Sequence, residues 1–520
     1  MKNVAFHNLG CKVNSYEMEV MQQIVQKRGY KIVQFTQKAD AYVVNTCTVT
    51  NIADRKSRQM LHRAKQLNPD AVVVAVGCYA QTGEGRLLED DAVDIIIGNN
   101  HKTEIADILD EYFEKHSAGS QASSDMDHSP ADNRMLSDKP GYVKPTVISD
   151  LNKPSEYENA TLVCGTARTR ADVKIQDGCN QFCSYCAIPL ARGRARSRKP
   201  DDVIEEIRTL VENGHKEIVI TGIHVCSYGI DFDDEAWKEG KVAPSEHMRD
   251  DERIRDYRGE TKLFDLLEMI DREIPDDRLK RIRLGSLEPR VITEENVRRL
   301  VKIKRICPHF HLSLQSGCDD TLKRMNRHYN SQEYKEGAEL IRKMYRDAGI
   351  SAAITTDVIV GFPGETDEEF DITRKYLEEL KLYEMHIFKY SRRKGTVADS
   401  LPGQIPEEIK NKRSDVLLEM TERHSREYRA ERLGQTESVL IEEKKGGYYV
   451  GHTGDYIKVL IPGEEMKAVR NTAPDAVWNT PSENVRIPNG NEGYEGLMVE
   501  TVLEALTDRD EVIGKILSNA

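Results

Sequence analysis

The sequence is poor in several of the features that mark common protein classes. Aromatic residues make up 6% of its 520 residues, and there are two tryptophans. The longest apolar run, Ala71–Ala80, has ten residues and is interrupted by Gly77 and Cys78. A membrane helix needs roughly 18–20, so an integral membrane protein is not expected. Met1–Gly10 carries one lysine and no long apolar stretch, so no secretory signal is read there and a cytoplasmic location is expected. Positive charge is also short: 75 Lys and Arg against 88 Asp and Glu, a net charge of −13. Such a chain is no general polyanion binder, although local basic patches remain open to it. The ten cysteines are Cys11, Cys47, Cys78, Cys164, Cys179, Cys183, Cys186, Cys226, Cys307 and Cys318. In a long chain of this compartment disulfides are not expected, and clustered cysteines read as metal ligands or catalytic groups.

The chain does contain three stretches of different periodicity, in keeping with a length that suggests about three domains. Residues 1–115 alternate short apolar runs, among them Ala41–Val44 and Ala71–Val76, with helical patterns, which predicts an open parallel αβ sheet. Residues 116–160 lose that periodicity and read as a linker. Residues 161–432 hold six further strand–helix repeats, fewer than the eight of a closed barrel, and predict a partial (β/α)6 barrel. Within it, Asp231–Glu260 carries eleven acidic and six basic residues and reads as a surface insertion. Residues 433–506 show short β-like runs between Gly and Pro turns, the pattern of a small β-barrel. A tail, 507–520, would follow. The expected fold is thus multidomain α/β, and a monomer.

The strongest local motif is Cys179-Asn-Gln-Phe-Cys183-Ser-Tyr-Cys186, just past the expected strand Val173–Gln176. Thiolates are the usual ligands of iron–sulfur clusters. Three on one loop hold three irons of a cubane and leave the fourth open, as catalytic metal sites keep one position free. A zinc site would want a fourth ligand at hand, and chance clustering is the remaining alternative. Cys11, Cys47 and Cys78 are far apart in sequence, but each follows an expected strand. In open parallel sheets those ends share one edge, so the three thiols should converge. The alternative is three small buried cysteines of an αβ core.

The Cys-x3-Cys-x2-Cys loop on a partial barrel resembles the radical S-adenosylmethionine superfamily. That resemblance implies an open iron that chelates S-adenosylmethionine, and a 5′-deoxyadenosyl radical released on one-electron reduction. With the second cysteine set, the chain resembles the methylthiotransferases of that superfamily. The motifs are Gly10-Cys-Lys-Val-Asn-Ser-Tyr-Glu17, Val44-Asn-Thr-Cys-Thr-Val-Thr50, Val76-Gly-Cys-Tyr-Ala-Gln81, Gly285-Ser-Leu-Glu-Pro289, Leu312-Ser-Leu-Gln-Ser-Gly317 and Asp357-Val-Ile-Val-Gly-Phe-Pro-Gly-Glu365. The resemblance implies two [4Fe–4S] clusters, one on Cys179, Cys183 and Cys186 and an auxiliary one on Cys11, Cys47 and Cys78 that carries the sulfur. It implies two S-adenosylmethionine molecules, a TRAM-like RNA-binding barrel, and an electron donor such as flavodoxin or ferredoxin. The opening motif is similar to the branch that methylthiolates C2 of N6-threonylcarbamoyladenosine at position 37 of tRNA. Other branches act on isopentenyladenosine or on a ribosomal-protein aspartate. A non-enzymatic iron–sulfur sensor that binds RNA is the alternative of another class, disfavoured because a sensor gains nothing from an open iron.

Other candidates follow from position. Gly222, Ser286 and Glu288 follow barrel strands, where barrel sites gather, and are expected at S-adenosylmethionine, Gly222 by close backbone approach and the other two by hydrogen bonds. Arg192, Arg194, Arg196, Arg198 and Lys199 form a basic run beside the cluster loop and are expected to contact tRNA phosphates. Arg55, Lys56, Arg58, Arg63, Lys65, Arg392, Arg393 and Lys394 would extend that surface. Gly361–Glu365 lacks the Gly-Lys-Ser/Thr ending of a P-loop, which excludes nucleotide hydrolysis. His7, His62, His215, His224, His309, His311 and His328 show no metal-ligand spacing and read as structural. Cys164, Cys226, Cys307 and Cys318 read as plain thiols.

Overall fold

The computed structural model describes residues 1–118, 144–151, 156–162, 169–232, 261–472 and 494–517. Most of the expected insertion, from 233 to 260, and Cys164 lie outside the described residues. The runs of β-branched residues near the N-terminus form parallel strands buried on both faces, as parallel sheets require. β1 (Asn3–Asn8), β2 (Lys31–Val33), β3 (Ala41–Thr46), β4 (Val72–Gly77), β5 (Ile95–Ile97) and β6 (Thr146–Val147) stand in the order β2-β1-β3-β4-β5-β6. Val43, Val74 and Ile97 pack on one face, and Tyr42, Val73 and Ile96 on the other. β6 corrects one boundary: it comes from the stretch read as linker, pairs with β5, and completes the sheet. Two residues are too short to show periodicity.

The middle of the chain contributes six parallel strands: β7 (Arg170–Asp177), β9 (Glu217–Gly222), β10 (Arg281–Leu284), β11 (His309–His311), β12 (Ala353–Val360) and β13 (Glu384–Lys389). A short antiparallel strand, β8 (Arg196–Ser197), flanks β7. The ladders β10-β9-β7 and β11-β12-β13 are joined by parallel bridges at Ile282–Ile306 and Leu287–Leu312, giving the partial barrel. The helix Lys12–Lys27 serves two cores at once. Tyr16 and Val20 enter the barrel's outer core, and Met21 and Val25 the sheet's core. Residues four apart stack on one helix face, so the two pairs form two stripes and lock the domains together.

β14 (Thr436–Lys445), β15 (Tyr448–His452), β16 (Lys458–Pro462), β17 (Met498–Leu506) and β18 (Val512–Ile516) close a barrel in the order β14-β15-β16-β18-β17. The segment read as a tail therefore supplies the closing strand. β18 pairs with both β16 and β17, and Val512 and Ile516 join the barrel core. Its apolar residues, Val512, Ile513 and Ile516, are split by the pair Gly514-Lys515, so no alternation marks the strand. The barrel is pinned beneath the central strands: Arg281 donates to the His452 carbonyl, and Arg283 to that of Gly454, both at 3.0 Å.

Candidate functional site

The Cys179–Cys186 loop leaves the C-terminal end of β7 and is held by close backbone contacts. Gly178 adopts φ +68°, and a Cβ there would lie 1.8 Å from the Arg194 carbonyl oxygen, so only glycine fits. Phe182 is held at φ 46°, a strained conformation for a bulky residue. The Asn326 side chain donates to its carbonyl at 3.0 Å, and the Arg194 guanidinium covers its ring at 4.5 Å. The charges of the three thiols act on one another. Burial, then the neighbouring Cys183, pushes Cys186 up to about 12. Burial followed by Cys183 and Cys186 raises Cys179 well above the ordinary thiol value. Three thiols packed this way repel one another as thiolates, and a bound cation relieves the repulsion. The donor set thus fits a metal cluster. A cavity of about 920 Å³ beside the loop is lined by Cys183, Cys186, Phe182, Leu190, Arg194 and Lys323.

Next to this loop, Arg327 is buried and bridges two groups. It donates to Cys183 Sγ at 3.1 Å and to Glu288 Oε1 at 3.0 Å. His224 Nε2 lies 3.4 Å from the other Glu288 oxygen. Burial opposes ionisation of Glu288, but His224 and Arg327 outweigh it and hold the carboxyl at about 2. The Glu288 backbone N–H donates to Cys226 Sγ at 3.2 Å, so this cysteine props up the Glu288 turn. Ser286 is exposed beside it. The close approach expected at Gly222 is taken by another group: a Cβ there would meet Gln176, whose carbonyl oxygen would be 3.1 Å away. Its small size therefore serves β7–β9 packing. His224, read as structural, thus faces the expected Glu288, and Arg327 escaped the sequence reading because it comes from a distant segment.

The dispersed cysteines converge as expected. β1, β3 and β4 are adjacent and parallel, so Cys11, Cys47 and Cys78 leave the same edge. Gly10 adopts φ +118°, and a Cβ on it would lie 3.2 Å from Cys47 Sγ. Burial pushes the Cys47 thiol up to about 11, and Cys78 and Cys11 add to the rise against a backbone hydrogen bond at Val49. This set too is a group of mutually repelling sulfurs suited to a cationic cluster.

A buried polar network ties the dispersed triad to the segments on either side of the Cys179–Cys186 loop. Arg192, on the helix Ile188–Arg192 after the Cys179–Cys186 loop, donates to Asn14 Oδ1 at 2.7 Å, Glu17 Oε1 at 2.8 Å and Asp177 Oδ1 at 3.0 Å. Asn99 donates to Cys78 Sγ at 3.5 Å and to the Ala191 carbonyl at 2.7 Å. Lys174 Nζ lies 2.7 Å from Glu17 and 2.6 Å from Asp177, and Lys102 pairs with Glu17. Burial resists the charge on Glu17, but Arg192, Lys102 and Lys174 hold it well below the usual carboxylate range.

This network overturns most of the expected RNA surface. Arg192, Arg196 and Arg198 are 0%, 3% and 1% exposed. Arg198 pairs with Glu206, and Arg196 donates to the Arg192 carbonyl at 3.0 Å. Of their acidic partners Glu17 lies far off in sequence, and Asp177 and Glu206 lie 15 and 8 residues away on other elements, so the run looked free when it was internal. Arg194 is half-buried over Phe182, and Lys199 is exposed. Of the outlying cations, Arg393 is buried against Asp54, Lys65 pairs with Asp94, and Arg58 donates to the Tyr79 hydroxyl at 3.0 Å, while Arg55, Lys56 and Arg63 are exposed. Arg392 and Lys394 are exposed, Arg392 pairing with Asp399. His311, read as structural, meets Asp357 and His386 with ligand atoms all within 4.8 Å, a set able to hold a divalent ion. Three strands supply it, and no spacing in sequence could show it.

Residues 3–98 match the family described as uncharacterized protein family UPF0004, and residues 173–377 match the radical SAM superfamily. The chain is 37% identical over 470 residues to threonylcarbamoyladenosine tRNA methylthiotransferase MtaB of Bacillus subtilis (strain 168), covering 89% of this chain and 91% of that one. The MtaB of Aquifex aeolicus (strain VF5) is 33% identical, with 88% and 100% covered. A tRNA-2-methylthio-N(6)-dimethylallyladenosine synthase of Opitutus terrae is 31% identical, with 87% and 90% covered. The cobalamin-bound radical S-adenosylmethionine methyltransferase TsrM of Kitasatospora setae shares the fold, with TM-score 0.50, 16% identity, and 76% and 77% of the chains covered. With both thiol triads in place and relatives matching along nearly their whole length, the chain belongs to the MtaB-type radical S-adenosylmethionine methylthiotransferases.

Proposed function

We propose that this protein methylthiolates C2 of N6-threonylcarbamoyladenosine at position 37 of tRNA, and that it holds two [4Fe–4S] clusters. The observation that carries the reading is the pair of thiol triads, the dispersed one tied through Arg192, Asn14 and Asn99 to the helix that follows the other. A single radical-generating cluster would need only one triad. The threonylcarbamoyl choice is supported by the names of the relatives at 33–37% identity.

When bound, the clusters and two S-adenosylmethionine molecules supply the electron, the methyl group and the sulfur, which carbon–sulfur bond formation at an unactivated aromatic carbon requires. The chain's own residues hold and shape the site. Cys179, Cys183 and Cys186 would ligate one cluster and Cys11, Cys47 and Cys78 the other. Arg327 donates to Cys183 Sγ, and such a bond to a ligand sulfur raises a cluster's reduction potential. Glu288, kept ionised by His224 and Arg327, is an acceptor for the cofactor's amino group, with Ser286 beside it. Gln176 fixes the Gly222 turn by accepting from the His224 backbone N–H at 2.8 Å. Lys199, Arg194 and the C-terminal barrel would meet tRNA. A one-electron donor of the flavodoxin or ferredoxin class would reduce the first cluster.

The test is anaerobic reconstitution of the whole chain, followed by iron counting and nucleoside mass spectrometry of tRNA treated with S-adenosylmethionine and a strong reductant. About eight irons per chain and a methylthio product on threonylcarbamoyladenosine are expected. Four irons, or product only on another nucleoside, would refute the corresponding part.

A further inference from the structure

Parallel strands are normally apolar on both faces, but the last three of the central barrel are not. On β11, Phe310 enters the outer core, while His309 and His311 fall on the opposite face. On β12, Ile354 and Val358 enter that core, and Thr355 and Asp357 fall opposite. On β13, Met385 enters it and Ile387 packs against it, which leaves His386 on the inner side. The pairing register then gathers these inner residues. Asp357 stands directly across from His386, and Thr355, two residues earlier on the same face, directly across from His311.

The ligand atoms of His311, Asp357 and His386 all lie within 4.8 Å of one another. The spacing of one pair decides what holds them. His311 Nε2 is 3.4 Å from Asp357 Oδ2. A charged hydrogen bond between these groups would close to about 2.7–2.9 Å. Two ligand atoms on a tetrahedral ion, each at about 2.0–2.1 Å from it, stand about 3.3 Å apart. The pair is therefore spaced for a shared ion and not for a direct bond. The His386 ring lies beside that of His311, with centroids 5.7 Å apart and planes at 22°, and its exposure leaves it free to close the remaining gap.

The surroundings are also those of a ligand set. A metal-bound imidazole is held through its second ring nitrogen, and His311 Nδ1 is 3.0 Å from the Thr355 hydroxyl oxygen. When Nδ1–H donates there, Nε2 keeps its lone pair toward Asp357. The Thr355 hydroxyl has its own acceptor in His309 Nε2, 3.4 Å away. Among the described residues the Asp357 carboxylate has no ion-pair partner besides His311, and no side chain donates a hydrogen bond to it.

We propose that His311, Asp357 and His386 bind one divalent first-row transition ion of the zinc class, with water in the remaining position. Two imidazoles, one carboxylate and a water form the donor set of an open zinc site. The site shares no residue with either thiol triad and does not depend on the substrate assigned above. The bridge between Leu287 and Leu312 sets His311 beside Ser286 on the neighbouring strand, so the ion would lie on the barrel's inner wall next to the turn that carries Ser286 and Glu288.

The experiment uses the reconstituted full-length holoenzyme, stripped of loose metal with a chelator, equilibrated anaerobically with Zn2+ and desalted. Zinc and iron are counted, and X-ray absorption at the zinc edge reads the ligand atoms. The wild-type chain is expected to hold about one zinc with nitrogen and oxygen neighbours at about 2.0–2.1 Å. His386→Ala and Asp357→Asn should lose that zinc and keep their iron. Thr355→Val, which keeps the shape and removes the hydroxyl, should weaken zinc binding by about ten- to a hundredfold. A wild-type chain without zinc would overturn the proposal. So would sulfur neighbours at about 2.3 Å, which place the zinc on cysteines, or a zinc count that His386→Ala and Asp357→Asn leave unchanged. The wild-type absorption spectrum decides the matter even where a variant fails to fold.

Discussion

The two thiol triads reach similar ends by opposite means. The Cys179–Cys186 set is local: eight consecutive residues supply all three sulfurs, and strain at Phe182 with a glycine at 178 bends the loop. Its support is a handful of side chains at the loop itself, Arg327 at Cys183, Arg194 over the Phe182 ring and Asn326 at the Phe182 carbonyl. The Cys11, Cys47 and Cys78 set is global: its sulfurs meet because three parallel strands stand side by side in one register. Its support is a buried ionic network that reaches into the neighbouring domain. A local motif tolerates disturbance elsewhere in the fold, whereas an assembled one is as stable as the interfaces that assemble it. The two sites should therefore fail differently.

Removing sulfurs gives the largest separation. Cys179→Ala, Cys183→Ala and Cys186→Ala together are expected to abolish 5′-deoxyadenosine release and methylthio product alike. The triple alanine variant at 11, 47 and 78 should keep 5′-deoxyadenosine release while losing the methylthio product. Chromatography of the reaction mixture reads both. Loss of 5′-deoxyadenosine in both variants would erase the proposed division of labour.

Arg192→Met comes next. It leaves Glu17 and Asp177 buried with fewer cations, and breaking a buried network of this kind costs about 3–5 kcal/mol. Denaturant unfolding of the anaerobic protein should show that loss. Iron assigned to the dispersed triad should fall first, because Asn14 and the helix after the loop lose their tie. A variant with unchanged midpoint would show that the network contributes nothing net.

The same contrast explains what could be read from the sequence. The Cys179–Cys186 motif was legible because ligand chemistry and spacing coincide in one short string. Convergence of Cys11, Cys47 and Cys78 was legible because each follows a β-branched run, and parallel strands end on one edge. The basic run at 192–199 misled, because the sequence displays the charges on Arg192 and Arg198 but not their pairing with Asp177 and Glu206 on neighbouring elements and with the distant Glu17. β6 was missed because two residues carry no periodic signal, and β18 because Gly514 and Lys515 break its short apolar run. The His311–Asp357–His386 set and the Arg327 bridge arise only when strands are laid in order.

A smaller effect is expected at Glu288, on the local side of the comparison. Its folded carboxyl titrates at about 2, below the ordinary value of about 4.3. A depressed carboxyl stabilises the fold above the unfolded value and loses that contribution as pH falls through the folded one. Between pH 5 and 8 the group stays ionised, so S-adenosylmethionine affinity should show no titration from Glu288. Glu288→Gln keeps the shape and removes the charge, and should weaken cofactor binding by about tenfold. Equilibrium binding across that range checks both statements, and an affinity that titrates with Glu288 present would contradict them.

The smallest effect separates Arg198 from Lys199, adjacent residues that the sequence treats alike. Lys199 is exposed at the start of the helix Pro200–Glu212, so Lys199→Ala should leave stability within about 0.5 kcal/mol. If it meets a phosphate, its loss lowers the slope of log affinity against log salt by about one. Arg198 is sealed against Glu206, whose carboxyl burial raises to about 7 even with the arginine opposing that rise. Arg198→Ala should therefore unfold the protein more readily and leave the salt slope of the folded fraction unchanged. Measuring tRNA affinity over a salt series for both variants decides whether the interior or the surface of this run faces RNA. An altered slope for Arg198→Ala with unchanged stability would return the buried arginines to the nucleic-acid surface and undo the distinction.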